Sequence, residues 1–248
     1  MLKMQDVGLS FNDGSGDNRE ILREINLEFS PGKLYGITGP NGGGKTSLAK
    51  VIMGIYKNTE GKVIFENEDI SDLGVTERAK KGIAYAFQQP PRFKGINTGD
   101  LLKLAYPGIE LPELMKHLRD VGLCPEDYME RDVGPGLSGG EIKRIEISQV
   151  LARNATVSIF DEPEAGVDLW TIQKLIGILI SRYKNNMDNT AIIITHNEKI
   201  LPVCDEIVVL EEGEVRMAGT PQNIWPAICS DILCKRRNDC RGEDGYEV

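Results

Sequence analysis

The stretch Gly39-Pro40-Asn41-Gly42-Gly43-Gly44-Lys45-Thr46 constrains this chain more than any other part of it. It matches G-x-x-x-x-G-K-[ST] in full, and its flanks supply the setting that pattern needs. Leu34 to Thr38 is a short apolar run of the kind a buried strand has. Leu48, Val51, Ile52 and Ile55 fall at i, i+3, i+4 and i+7, one face of a helix. Between strand and helix, glycines let backbone N–H groups close around a phosphate where a side chain would clash. A helix beginning near Lys45 adds its positive N-terminal end. Lys45 is then placed to reach the β- and γ-phosphates of a nucleotide, and the Thr46 hydroxyl to bind Mg2+. Residues Gly39, Pro40, Asn41, Gly42, Gly43, Gly44, Lys45, Thr46 and Ser47 are therefore candidate nucleotide ligands. A glycine-rich turn with an incidental lysine is the bland alternative, which the strand and helix on either side disfavour.

Length and charge bound what such a site can serve. The 248 residues suit one to two domains and bury a full core without disulfides. With 29 Lys+Arg against 38 Asp+Glu, the formal net charge is −9, which argues against a nucleic-acid binder with a basic footprint. The longest apolar runs, such as Ala191-Ile192-Ile193-Ile194, fall far short of the roughly 20 residues of a transmembrane helix. Met1-Leu2-Lys3-Met4-Gln5-Asp6 lacks the long apolar stretch of a signal peptide. The five cysteines are odd in number and gathered late in the chain, so a disulfide framework is not expected. These bounds predict a soluble, reduced, cytoplasmic protein.

The patterns along the chain alternate in period. Ile25, Leu27 and Phe29 alternate with polar neighbours as in a half-buried strand, and the Asn-Asp-Gly-Ser-Gly-Asp-Asn cluster before them suits a hairpin tip. Val157 to Phe160 and Ala191 to Thr195 are continuous apolar runs, as in parallel sheets. Leu175, Ile176, Leu179 and Ile180 predict a helix between them, and Ile207 to Leu210 with Val215 to Met217 a late hairpin. Alternating strands and helices predict an α/β fold. Residues 96–135, with several leucines and breakers at Pro107, Pro112 and Pro125, read as a helical subdomain inserted in that core. His117 within it reads as a surface residue. The main domain is expected to span 1–227, followed by a polar tail, 228–248, carrying Cys229, Cys234 and Cys240. Three thiols there leave metal or cluster binding open, but their spacing matches no strong template, and an unspecialised reduced tail is the simpler reading. Cys124 and Cys204 read as ordinary buried or half-buried residues.

Two further segments carry chemistry. Val157-Ser158-Ile159-Phe160-Asp161-Glu162 puts two carboxylates at the end of a buried strand. Asp161 suits a Mg2+ ligand and Glu162 a general base that polarises the attacking water. Leu137-Ser138-Gly139-Gly140-Glu141 contains a capping box, Ser138 with Glu141, and its glycines leave a helix N-terminus bare enough to sit against an anion.

Leu-Ser-Gly-Gly-Glu between the glycine loop and the acidic pair resembles the signature motif of the ATP-binding-cassette (ABC) ATPases. The resemblance covers nearly the whole chain. It implies a P-loop core with an N-terminal antiparallel β subdomain and an inserted α-helical subdomain. It implies ATP and Mg2+ as cofactors, and head-to-tail dimerisation, with Ser138, Gly139 and Gly140 of one copy completing the ATP site of another. Phe11 falls where the family stacks an aromatic on adenine, although a core aromatic is the alternative. Gln88 matches the glutamine that senses metal and γ-phosphate, Asp168 in Ala165-Gly166-Val167-Asp168 lies in the D-loop, and His196 after Thr195 matches the switch histidine. Glu164 departs from the usual small hydroxyl residue and is expected to add charge near the dimer seam.

The segments Thr76 to Ile83, Ala86 to Ile96 and Ser138-Gly139-Gly140-Glu141-Ile142-Lys143-Arg144-Ile145-Glu146-Ile147 resemble the Suf-type ATPases of iron–sulfur cluster assembly, in the short, minimal form of that system. That resemblance implies a soluble scaffold protein as partner. Asp161-Glu162-Pro163-Glu164-Ala165-Gly166 reads more like a transporter subunit, which keeps a membrane permease open as the alternative partner. No nucleic-acid partner is expected.

Overall fold

The fold is described from a computed structural model covering residues 1–12, 18–184 and 188–232. Two sheets form it. Strands β1 (Leu2–Asn12), β2 (Asn18–Phe29), β4 (Glu60–Phe65) and β5 (Glu68–Asp69) make an antiparallel sheet in the order β2-β1-β4-β5. The second sheet has six strands, β10-β9-β3-β8-β7-β6, comprising β3 (Leu34–Thr38), β6 (Ile83–Ala86), β7 (Val157–Asp161), β8 (Thr190–Ile194), β9 (Glu206–Glu211) and β10 (Glu214–Gly219). All its pairings are parallel except β9 with β10, the late hairpin.

The continuous apolar runs are explained by burial on both faces of this second sheet. On one face Tyr35, Ile37, Val157, Ile159, Ile192 and Ile194 pack against α1 (Lys45–Met53) and the antiparallel sheet. On the other, Leu34, Phe160, Ala191 and Ile193 pack beneath the helices α3 (Thr98–Ala105), α4 (Leu111–Asp120), α6 (Gly139–Arg153) and α7 (Leu169–Leu179). Strand β3 lies centrally between β9 and β8, so the loop leaving it opens over the middle of the sheet's carboxyl edge. This is where α/β sheets place their ligands.

Helix α1 is anchored at its far end by a buried cation. Gly54 closes it in the left-handed conformation. Arg78, on α2 (Val75–Lys81), donates to the carbonyls of Val51 (2.7 Å), Ile52 (3.0 Å), Leu73 (2.9 Å) and Ser71 (3.1 Å). A guanidinium there satisfies orphan carbonyls and faces the negative end of the helix dipole.

The inserted region holds α3, α4 and the short α5 (Pro125–Tyr128), packed on α6. His117 is not a surface residue: it is 5% exposed, on the same face of α4 as Leu114 and Leu118, with neither ring nitrogen hydrogen-bonded. Burial pushes its pKa down, which keeps the ring neutral. Cys124 is exposed, whereas Cys204 is buried and its thiol is pushed up to about 12 by burial. The last helix, α8 (Pro221–Ile232), runs through position 228. Cys234 and Cys240, and the side chain of Cys229, lie outside the described residues.

Candidate functional site: a glycine loop facing a buried carboxylate

The loop from Gly39 to Gly44 is shaped by close backbone approaches. Gly39 has φ +136, and a Cβ there would fall 2.0 Å from the Leu210 carbonyl oxygen on β9. Only glycine fits, so the loop is pressed flat against the sheet edge. Gly43 N–H donates to Pro40 O (3.1 Å), and the Gly43 carbonyl accepts from Gly213 N–H (3.2 Å) in the β9–β10 turn. Helix α1 starts at Lys45 with no capping side chain and no acidic residue in its first turn, so its positive end faces the loop unopposed.

Lys45 Nζ donates to the carbonyls of Gly39 (2.7 Å) and Pro40 (2.8 Å), spanning the loop. Burial lowers its pKa, against the pull of Glu162 and Asp161. Thr46 Oγ1 donates to Asp161 Oδ1 at 3.3 Å, so the loop and the end of β7 already touch. Asp161 is fully buried; burial raises its pKa, while hydrogen bonds from Tyr85 and Thr46 oppose the rise. The Tyr85 hydroxyl donates to Asp161 Oδ2 at 2.7 Å, and its own pKa is raised by burial and by that carboxylate. Sequence reasoning missed Tyr85. The available signal was a tyrosine inside an otherwise apolar strand, because a buried hydroxyl needs a partner.

Glu162 follows directly, half-buried, with a left-handed backbone (φ +46) that a non-glycine residue adopts only when its surroundings impose it. Its N–H donates to Ile194 O (2.9 Å), the end of β8, so the turn re-aims the side chain out of the strand direction. His196 follows β8 and lines, with Thr38, Gly39, Pro40 and Asn41, one wall of a cavity of about 660 Å³. Desolvation first, then the Lys45 charge, lowers its pKa; Glu162 opposes this. Lys45, Thr46, Asp161, Glu162 and His196 are thus gathered at one end of the parallel sheet.

The remaining predicted residues stand apart from that cluster or at its margin. Phe11 is 42% exposed, which removes the core-aromatic alternative; its edge meets Tyr56 at 5.1 Å, just beyond α1. Gln88 is exposed, in the segment after β6. Ser138 caps α6: its hydroxyl accepts from Glu141 N (3.3 Å) and its N–H donates to the Glu141 carboxylate (2.7 Å). Hydrogen bonds from Ser138, then from the Tyr128 hydroxyl, hold Glu141 down at about 2. Gly139 and Gly140 leave the first turn bare, and a Cβ on Gly140 would fall 2.4 Å from Gly166 O. The capped helix end and the 165–168 segment therefore form one continuous exposed surface. Asp168 caps α7 through Trp170 N (3.1 Å) and Thr171 N (3.0 Å). Glu164 does not project its charge outward: it turns in to accept from the Thr195 hydroxyl beside His196, and burial raises its pKa.

Thr46 Oγ1 and the Asp161 carboxylate are an all-oxygen donor pair, as a hard divalent cation requires. These residues fit Mg2+.

The ABC transporter family matches residues 22–165, more than half of the chain. The chain is an ABC-family ATPase. It is 36% identical over 216 residues to an uncharacterized ABC transporter ATP-binding protein of Methanocaldococcus jannaschii, covering 84% of this chain and 86% of that one. It is 35% identical over 221 residues to a probable ATP-dependent transporter of Synechocystis, covering 83% and 86%. Among solved structures, the dimeric post-hydrolysis state of an ATP-binding cassette bound to ADP and Pi superposes with a TM-score of 0.78 at 26% identity, over 89% of this chain and 98% of that one. The ABC ATPase fold implied by the signature motif is therefore observed, with ATP as the nucleotide and Mg2+ as its cation.

Proposed function

We propose that this ATPase is a motor subunit that dimerises on ATP and drives a scaffold partner in iron–sulfur cluster assembly. The observation that carries the motor reading is the split site: a formed phosphate cradle at Gly39–Thr46 and, elsewhere on the surface, a bare capped helix end at Ser138–Gly140. One cradle leaves a side of the triphosphate uncovered. Ser138, Gly139 and Gly140 of a second copy would supply N–H donors to it. Phe11 offers its open face to the adenine, and Asp168 keeps the 165–168 segment rigid at the seam. Gln88, exposed in the segment after β6, would sense the cation and the γ-phosphate.

In hydrolysis, Lys45 leaves the Gly39 and Pro40 carbonyls for the β- and γ-phosphates. Thr46 and Asp161 hold Mg2+, which when bound neutralises charge on the phosphate oxygens. Glu162 orients the attacking water and takes its proton; His196, its pKa lowered by partial desolvation and by the Lys45 charge, donates a hydrogen bond to the γ-phosphate. Cleavage removes the bridging phosphate and loosens the dimer.

The cluster-assembly reading is supported by the Suf-like stretches Thr76–Ile83, Ala86–Ile96 and Ser138–Ile147. In the structure the second and third border one groove, lined by Phe87, Pro90, Pro91, Phe93, Ile142 and Ile145. A permease reading is favoured by the names of the relatives, which include a lipopolysaccharide export ATP-binding protein of Acidithiobacillus ferridurans at 32% identity. In that reading the groove receives a helix of a membrane subunit. Either partner places the chain in the cytoplasm. Anaerobic affinity capture from the native cell with the Glu162→Gln protein and ATP decides between them. A soluble, cysteine-bearing scaffold supports cluster assembly; a polytopic membrane protein refutes it in favour of transport.

A further inference from the structure

Strand β6 is the edge of its sheet, and its ladder with β7 ends at Ala86 opposite Phe160. The next residue, Phe87, lies beyond that ladder. Helix α6 satisfies it instead, from two side chains one turn apart. The Glu146 carboxylate accepts from Phe87 N–H at 2.9 Å, and Lys143 Nζ donates to the Phe87 carbonyl. The same ammonium donates to the Asp161 carbonyl at 2.8 Å and lies 3.7 Å from the second Glu146 oxygen. Lys143 is 1% exposed, and Glu146 is buried as well.

A buried ion pair of this kind gives little net stability. Replacing both partners with apolar residues of similar size is often neutral or stabilising, whereas removing one leaves an unpaired charge. What the pair does achieve is positional. It grips both backbone polar groups of one residue, Phe87, immediately before Gln88, and ties that residue to the backbone of Asp161, immediately before Glu162. A parallel link runs through the side chains: Phe87 packs on Tyr85 with ring centroids 4.6 Å apart, and Tyr85 holds Asp161.

We propose that Glu146, with Lys143, is a positioning residue for ATP hydrolysis: a buried clasp on the Phe87 backbone that fixes Gln88 relative to Asp161 and Glu162. Glu146 also lines the partner groove beside Phe87, so a partner seated there presses on the clasp and, through it, on the hydrolytic end of β7. The inference rests on the roles proposed above for Gln88 and Glu162.

The test is the double variant Lys143→Met, Glu146→Leu, measured beside both single variants for melting temperature, ATP affinity and kcat. The single variants are expected to melt lower than the parent. The double variant leaves no unpaired charge and should melt no lower than the less stable single variant, although the Phe87 and Asp161 backbone groups lose their partners; it should bind ATP within about threefold, yet turn over about 10- to 100-fold more slowly, the scale of a misplaced catalytic geometry. If the double variant turns over at the parental kcat, the pair is merely structural and the proposal is overturned. Loss of ATP affinity in proportion to kcat overturns it equally. Glu162→Gln run in the same assay separates this failure from that of the underlying site: normal turnover in Glu162→Gln would strike out the site itself.

Discussion

The two ends of the proposed nucleotide site are built in opposite ways. At the P-loop end the proposed groups Gly39, Lys45, Thr46 and Asp161 are tied into the core before any ligand arrives. Gly39 is pressed on β9, Lys45 spans its own loop, Thr46 rests on Asp161, and Asp161 is held by Tyr85. At the signature end the geometry is equally fixed, by the Ser138–Glu141 box and the Gly140–Gly166 approach, but the donors face outward with nothing to receive. Preorganisation at both ends means that closing a dimer costs little reordering, so nucleotide binding free energy goes into association. In the proposed reading the P-loop end is complete as a binder and the signature end only as half of an interface.

The largest expected effect follows from removing the base at the formed end. Glu162→Gln should keep ATP bound, hydrolyse it at least about 100-fold more slowly, and accumulate an ATP-dependent dimer by light scattering. Turnover near the parental rate would remove Glu162 from that role. The next effect separates the two ends. Ser138→Arg places bulk and charge on the exposed helix N-terminus, which is remote from its own Lys45 site in this reading. ATP affinity by calorimetry should stay within about threefold, while kcat falls about tenfold or more, because the partner's γ-phosphate loses its second set of donors. A parallel fall in affinity would show that the signature end serves its own P-loop and would break the comparison.

A smaller effect tests how far the formed end depends on a residue that carries no chemistry. Tyr85→Phe deletes the hydroxyl on Asp161 Oδ2, leaving a buried carboxylate oxygen without its donor. The expected loss is about 2 kcal/mol of stability, read as a fall of several degrees in Tm. An unchanged Tm would mean that water replaces the hydroxyl and that Asp161 is less enclosed than its burial indicates.

The same contrast explains what the sequence made legible. The P-loop, the acidic pair and the signature box are local: contiguous residues fix each one's backbone, so pattern alone revealed them. Strands β3, β7 and β8 were legible because burial on both faces leaves an unbroken apolar run. Tyr85, Lys143 and Glu146 were not, because each owes its role to a partner brought in by β-pairing or helix packing. His117 was misread for want of weighing its register. It falls at i+3 from Leu114 and next to Leu118, on the apolar face of α4, and a histidine there is buried whether or not it finds a partner. Cys124 was misread in the other direction, since the turn before α5 leaves it outside the core. Glu164 is expected from the sequence to add charge near the dimer seam; the turn that follows Glu162 folds it in toward Thr195.

The smallest effect isolates the box that shapes the signature end. Glu141 is held at about 2 in the folded chain by Ser138 and Tyr128, below the usual carboxylate value of 4.5. A carboxylate whose folded pKa is depressed adds stability that is fully present above its unfolded value and is lost as pH falls through the folded one. Glu141→Ala should therefore cost about 1 kcal/mol at neutral pH, the worth of a helix cap. The difference between parent and variant should narrow as pH drops from about 4.5 toward 2, and vanish below it. Paired denaturant titrations across that window measure it. A gap that stays constant with pH would assign the cost to lost packing against Tyr128 and Arg131, and the helix end that faces the second copy would then be held by contacts rather than by charge.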